Sequence, residues 1–183
     1  MKRSLRLLLS AVLSLGLAGA AFGSSAADNG LLEQRLNQQV RHALVMIPQF
    51  GGFDNLSYRV DGSTVTLYGQ VRDAIVKDEA ASSVKRLEGV ERVDNKIEIL
   101  PASFNDDRIR AQVARAVFSD ARLSSYAIEP VPPIHIIVEN GHVDLVGVVR
   151  TQADKNNAFI RANGVPGVFS VNNNLQVEQP AKG

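Results

Sequence analysis

From residue 32 onward, apolar side chains recur three or four positions apart: Leu32, Leu36, Val40, Ala43, Leu44 and Ile47. That spacing predicts an amphipathic helix, ended by Pro48 and the Gly51-Gly52 pair. The period then shortens to two. Leu56 to Val60 predicts a strand, Asp61-Gly62 a turn, and Val65 opens a second strand. Ala80, Val84 and Leu87 restore the helical spacing, and Val93, Asn95, Ile97 and Ile99 alternate as a last strand. The order then starts again. Ile109, Val113, Ala116 and Val117 mark a helix that Asn105 or Asp106 is placed to cap. Ile134 to Val138, a turn at Asn140-Gly141 and a strand from Val143 follow. Ala158, Ala162 and Val165 form a helical stripe, and Val171, Asn173, Leu175 and Val177 a final strand.

This is a repeat. Shifted by 78 residues, Val60–Ile99 overlies Val138–Val177 with 12 of 40 positions identical, among them Gly69/Gly147, Gly89/Gly167 and Asn95/Asn173. The predicted fold is α+β: two tandem α-β-β-α-β modules, each a three-stranded mixed sheet covered on one face by two helices. Each shared glycine answers a backbone demand. Gly69 and Gly147 lie inside strands, where a missing side chain admits a helix or a bulge. Gly89 and Gly167 follow helices and suit the left-handed C′ position.

The pattern V-x-L-x-G-x-V, then a helix, then G-V-x-x-V-x-N-x-[LI], occurs at Val65–Val71 with Gly89–Ile97 and at Val143–Val149 with Gly167–Leu175. It resembles the BON domain family in both copies. The resemblance implies the α-β-β-α-β fold, contact with phospholipid or envelope partners, a setting of osmotic or envelope stress, and no catalytic residues. Many two-module members are lipoproteins. This chain has no cysteine to carry the lipid.

Lys2, Arg3 and Arg6 precede 16 largely apolar residues, Leu7 to Phe22, and small residues run on to Ala27. This predicts a secretory leader over 1–27, with Ala18-Gly19-Ala20 as an alternative exit. The remaining boundaries are 28–101 for the first module, 102–178 for the second and 179–183 for a C-terminal tail. The expected location is periplasmic, at most peripheral to a membrane. The whole chain carries a formal +1. Without the leader, 17 basic residues face 19 acidic ones, a charge of −2. The basic balance therefore belongs to the leader and gives no argument for nucleic acid, nor do aromatics at 5% of residues. Absence of cysteine excludes disulfides and thiolate metal sites.

No nucleophile elbow, phosphate loop or dinucleotide fingerprint occurs, so neither catalysis nor a cofactor is expected. His135 and His142 share one predicted hairpin, but no third ligand has metal-site spacing. Differences between the copies are more informative. Strand alternation gives the first sheet an open face of Ser57, Arg59, Thr66, Tyr68, Gln70, Asp94, Lys96 and Glu98. The second carries His135, Ile137, Asp144, Val146, Val148, Asn172, Asn174 and Gln176 there. Such an apolar-and-amide face suits a lipid or protein partner, or contact with the other module. Ile160, aligned with Ser82, is a further candidate. The expected function is a non-enzymatic envelope-binding protein, acting through phospholipid or a membrane-associated partner. The alternative is an adaptor or stress-protective protein that binds protein or peptidoglycan.

Overall fold

A computed structural model of the protein describes residues 24–179. The first module runs α1 (Ser24–Val45), β1 (Asn55–Asp61), β2 (Thr64–Val71), α2 (Ala74–Lys85) and β3 (Arg92–Ile99). The second runs α3 (Phe104–Phe118), β4 (Ile134–Glu139), β5 (His142–Val149), α4 (Gln152–Asn163) and β6 (Ser170–Val177), with a 3-10 turn at Ser124–Ala127 after α3. Most of the assigned leader lies outside the described residues, and a cut before Asp28 would fall within α1.

The two sheets have one topology, β1-β2-β3 and β4-β5-β6. Each begins with an antiparallel hairpin, and its last strand adds parallel to the second, as a crossover helix requires. The predicted mixed sheets and helical cover are therefore present. Val65, Leu67 and Val71 meet Val40, Leu44, Val76, Ala80 and Val84 in the first core. Leu145 and Val149 meet Ile109, Val113, Ala158 and Ala162 in the second. Asn95 and Asn173 explain their identity in both copies. Each donates its amide N–H to a helix carbonyl, of Lys77 at 3.0 Å or Lys155 at 2.8 Å. Each amide oxygen accepts a strand N–H, of Ile97 or Leu175. One side chain thus ties the edge strand to the crossover helix and occupies an edge donor.

Local geometry corrects four expectations. The N-cap of α3 is Ser103, whose hydroxyl accepts the Asp106 N–H at 3.2 Å, so neither Asn105 nor Asp106 caps it. Asp106 instead accepts the N–H groups of Asn140 and Gly141 in the β4–β5 turn, at 3.0 and 2.8 Å. The first hairpin turns at Gly62-Ser63, because Asp61 is still paired with Thr64. Gly89 and Gly167 do have positive φ, but they lie three residues beyond the C-caps Arg86 and Gly164, in the turn that feeds the last strand.

The strand glycines make room for neither a helix nor an added residue. Gly69 and Gly147 have φ of 123° and 125°, a region closed to ordinary side chains. A Cβ there would sit 1.9 Å from the Asn55 carbonyl oxygen or 2.0 Å from that of Pro133. Both obstacles are backbone of the neighbouring strand or its lead-in, which cannot rotate away. We predict that Gly69→Val and Gly147→Val each destabilise by about 3 kcal/mol or more, since strained backbone and overpacking each cost roughly 1–3. Urea unfolding checks this, with a fall in midpoint expected for both variants.

Candidate functional site

The segment between α1 and β1 carries the first module onto the edge of the second sheet. Phe53 packs against the second module's core, and Val131 packs against the first module's core. The Ile136 N–H donates to the Gly52 carbonyl at 2.7 Å, so the outer edge of β4 is paired at that point. Phe50 stacks on the His135 imidazole with centroids 5.6 Å apart and planes 25° apart. Asp54, 2% exposed, pins the segment: its carboxylate accepts the N–H groups of Gly51 at 3.2 Å and Arg72 at 2.8 Å. The Arg72 guanidinium lies over the Phe53 ring at 5.3 Å. Arg150, its counterpart, has a different support. Its N–H donates to the Tyr126 hydroxyl at 2.8 Å, and its guanidinium lies 4.6 Å from that ring's centre. Tyr126 in turn donates to the buried Asp154 at 2.9 Å.

Against this seam the open face of the second sheet divides. His135 is half-buried, and Ile137 is only 3% exposed although it belongs to neither module's core cluster. Both lie on β4, the strand that carries the seam. Val146, opposite His135, is half-buried, whereas Val148 is 40% exposed, and Asn172, Asn174 and Gln176 are exposed on β6. The structure therefore does not present the five candidate residues as one accessible surface. Ile160 stands apart on α4, 65% exposed, beside Phe159. It borders a shallow groove between α3 and α4, shared with Arg115 and Arg161. Arg161 is paired with Asp120 at 2.6 Å, while Arg115 is exposed.

Burial pushes the His135 pKa below the ordinary histidine range. The backbone of Gly51 and Asp54 and the Asp54 carboxylate pull the other way without cancelling it. Its Nδ1 is buried and meets no acceptor or donor among the described residues. His142 is exposed, with Nδ1 2.7 Å from the Ser170 hydroxyl. The hairpin pairs His135 with Val146 and His142 with Glu139, four residues apart along the strand. At roughly 3.3 Å per residue the two positions are about 13 Å apart along the strands, too far for their side chains to share an ion. No cluster of three or more potential metal ligands occurs among the described residues. Nor is any described helix long and apolar enough to cross a membrane.

The seam residues Phe50, Phe53, Asp54 and Val131 are absent from the sequence-based candidates. Their one visible trace was the Gly51-Gly52 pair, which reads as a helix stop and says nothing of a neighbour.

The sequence pattern of the BON domain matches residues 33–101 and again 105–179. The chain is 31% identical over 152 residues to osmotically-inducible protein Y of Escherichia coli K12, covering 82% of this chain and 75% of that protein. It is 36% identical over 112 residues to the outer membrane lipoprotein DolP of Haemophilus influenzae, covering 58% of this chain and about half (54%) of that one. Among solved structures, the C-terminal domain of CdsD, a structural protein of the type III secretion system of Chlamydia trachomatis, aligns over 79% of this chain and 98% of its own. Its identity is 15% and its TM-score 0.29. With both modules matched over almost their whole length, the chain belongs to the BON domain family and carries two copies of the domain.

Proposed function

We propose that the protein is a non-enzymatic binding protein of the periplasm, exported with removal of its leader and acting at the cell envelope under osmotic or envelope stress. Its relatives' names support the setting: one is osmotically inducible and the other an outer membrane lipoprotein. The partner is phospholipid or a membrane-associated component, held peripherally. The observation that carries this reading is the asymmetry of exposed positions between the copies. Val148 and Ile160 are exposed apolar side chains in the second module, where the first has Gln70 and Ser82. Ile160 adjoins the Arg115 and Arg161 groove, and with Arg161 paired to Asp120 it is the exposed Arg115 that sets a cationic group beside the apolar anchor. That combination suits an anionic lipid surface better than the charge of −2 left without the leader does. An adaptor that binds envelope protein or peptidoglycan would use the same exposed positions through different contacts.

Val148→Gln with Ile160→Ser restores the first module's residues at both places. We predict that this double variant keeps its stability within about 0.5 kcal/mol, as exposed substitutions usually do. It should also lose most co-sedimentation with vesicles containing phosphatidylglycerol. Retained sedimentation would contradict the lipid reading, and loss of envelope-protein capture alone would favour the adaptor. Ile137→Arg, which restores Arg59 of the first copy, should behave in the opposite way. An uncompensated charge at a buried site costs about 3–5 kcal/mol, so thermal unfolding should move down sharply.

A further inference from the structure

His135 is a titratable side chain stacked on the first module at the seam, and three features converge on it. Its ring lies on Phe50 of the first module, while the adjacent Ile136 N–H makes the backbone bond to Gly52. Its buried Nδ1 has no partner among the described residues. Its counterpart in the first copy is Ser57, an exposed residue with nothing to titrate. We propose that the seam is an acid-sensitive latch: protonation of His135 releases the Phe50–Asp54 segment from the β4 edge and lets the two modules separate while each stays folded.

The charged groups around the imidazole come from three places. From the first module, Asp54 faces it, with its carboxylate already committed to the Gly51 and Arg72 N–H groups, and the Arg72 guanidinium is held on Phe53. From β5, Val146 is directly opposite and uncharged, and Asp144 lies diagonally across the pair. From β6, Asn174 is the neighbour of Val146 and carries no charge. A proton on the ring therefore meets one carboxylate that already accepts two N–H groups, a second at diagonal distance, and the backbone of Gly51 and Asp54, against the loss of hydration that burial imposes. Burial dominates, and the neutral ring is favoured in the closed seam. Because the closed-state pKa lies below the open-state value of about 6.5, the seam keeps its full strength above that pH. It weakens as pH falls below about 6.5, down to the closed-state pKa.

The latch fits the reading of the protein as an envelope component, since opening would free the β4 edge at Ile136 and the ring of Phe53 for a partner. That consequence rests on the proposed function; the latch itself does not. The test is a distance measurement. The chain has no cysteine, so Ser82→Cys and Ala153→Cys, both at exposed positions on different modules, accept a donor and acceptor dye without background labelling. Transfer efficiency is followed from pH 7.5 to 5.0 beside far-ultraviolet circular dichroism, with and without His135→Phe, which keeps an aromatic ring on Phe50 and cannot titrate. Transfer should fall below pH 6.5 with the dichroism unchanged, and His135→Phe should hold it at the pH 7.5 level throughout. Unchanged transfer in the parent chain, an equal fall in His135→Phe, or a fall that coincides with loss of dichroism would each overturn the latch.

Discussion

Phe53 packed against the second core, with Val131 packed against the first, is the interaction on which the arrangement of this protein depends. Each module lends the other an apolar side chain. Fully burying a phenylalanine ring stabilises by about 1.5–3 kcal/mol, and Phe53, half-buried, gains a part of that. The backbone bond from Ile136 to Gly52 and the carboxylate of Asp54 then fix where the segment crosses the β4 edge. An unpaired strand edge invites pairing with other chains, and here part of that edge is occupied from within the same chain.

Duplication explains most of what is alike in the two halves, and the seam explains much of what differs. Arg72 and Arg150 are identical and both follow the second strand of their sheet. The N–H of Arg72 is met by Asp54, part of the seam, whereas the N–H of Arg150 is met by Tyr126, in the 3-10 turn after α3. One backbone donor is satisfied by unrelated side chains, because only the first module's loop must also reach its neighbour. Ile137 fits the same logic: it is buried on a strand that carries the seam, while its counterpart Arg59 is exposed.

The elements and the duplication were legible because binary patterning and the 78-residue offset report on the same cores. Gly69 and Gly147 were recognisable as structural, but their cause was not. A positive φ aimed at the carbonyl of Asn55 or Pro133 is backbone geometry with no signature beyond glycine itself. The seam was hidden for a different reason. Phe50–Asp54 and Val131–Pro133 lie just outside the matching stretch of the two copies, so comparing the copies could not expose them. Alternation assigned Ile137 to the right face of its strand, yet it carries no information about what lies over that face. The proposal at Val148 and Ile160 rests on two separate side chains that are exposed as well as apolar.

If the reciprocal contact holds the halves together, they must rotate as one particle in solution. Backbone 15N relaxation at pH 7.5 measures this directly, by giving a rotational correlation time for each module separately. One shared value is expected, that of a single compact body of the whole described length. Two shorter and different values, each fitting a lone module on a tether, would contradict it.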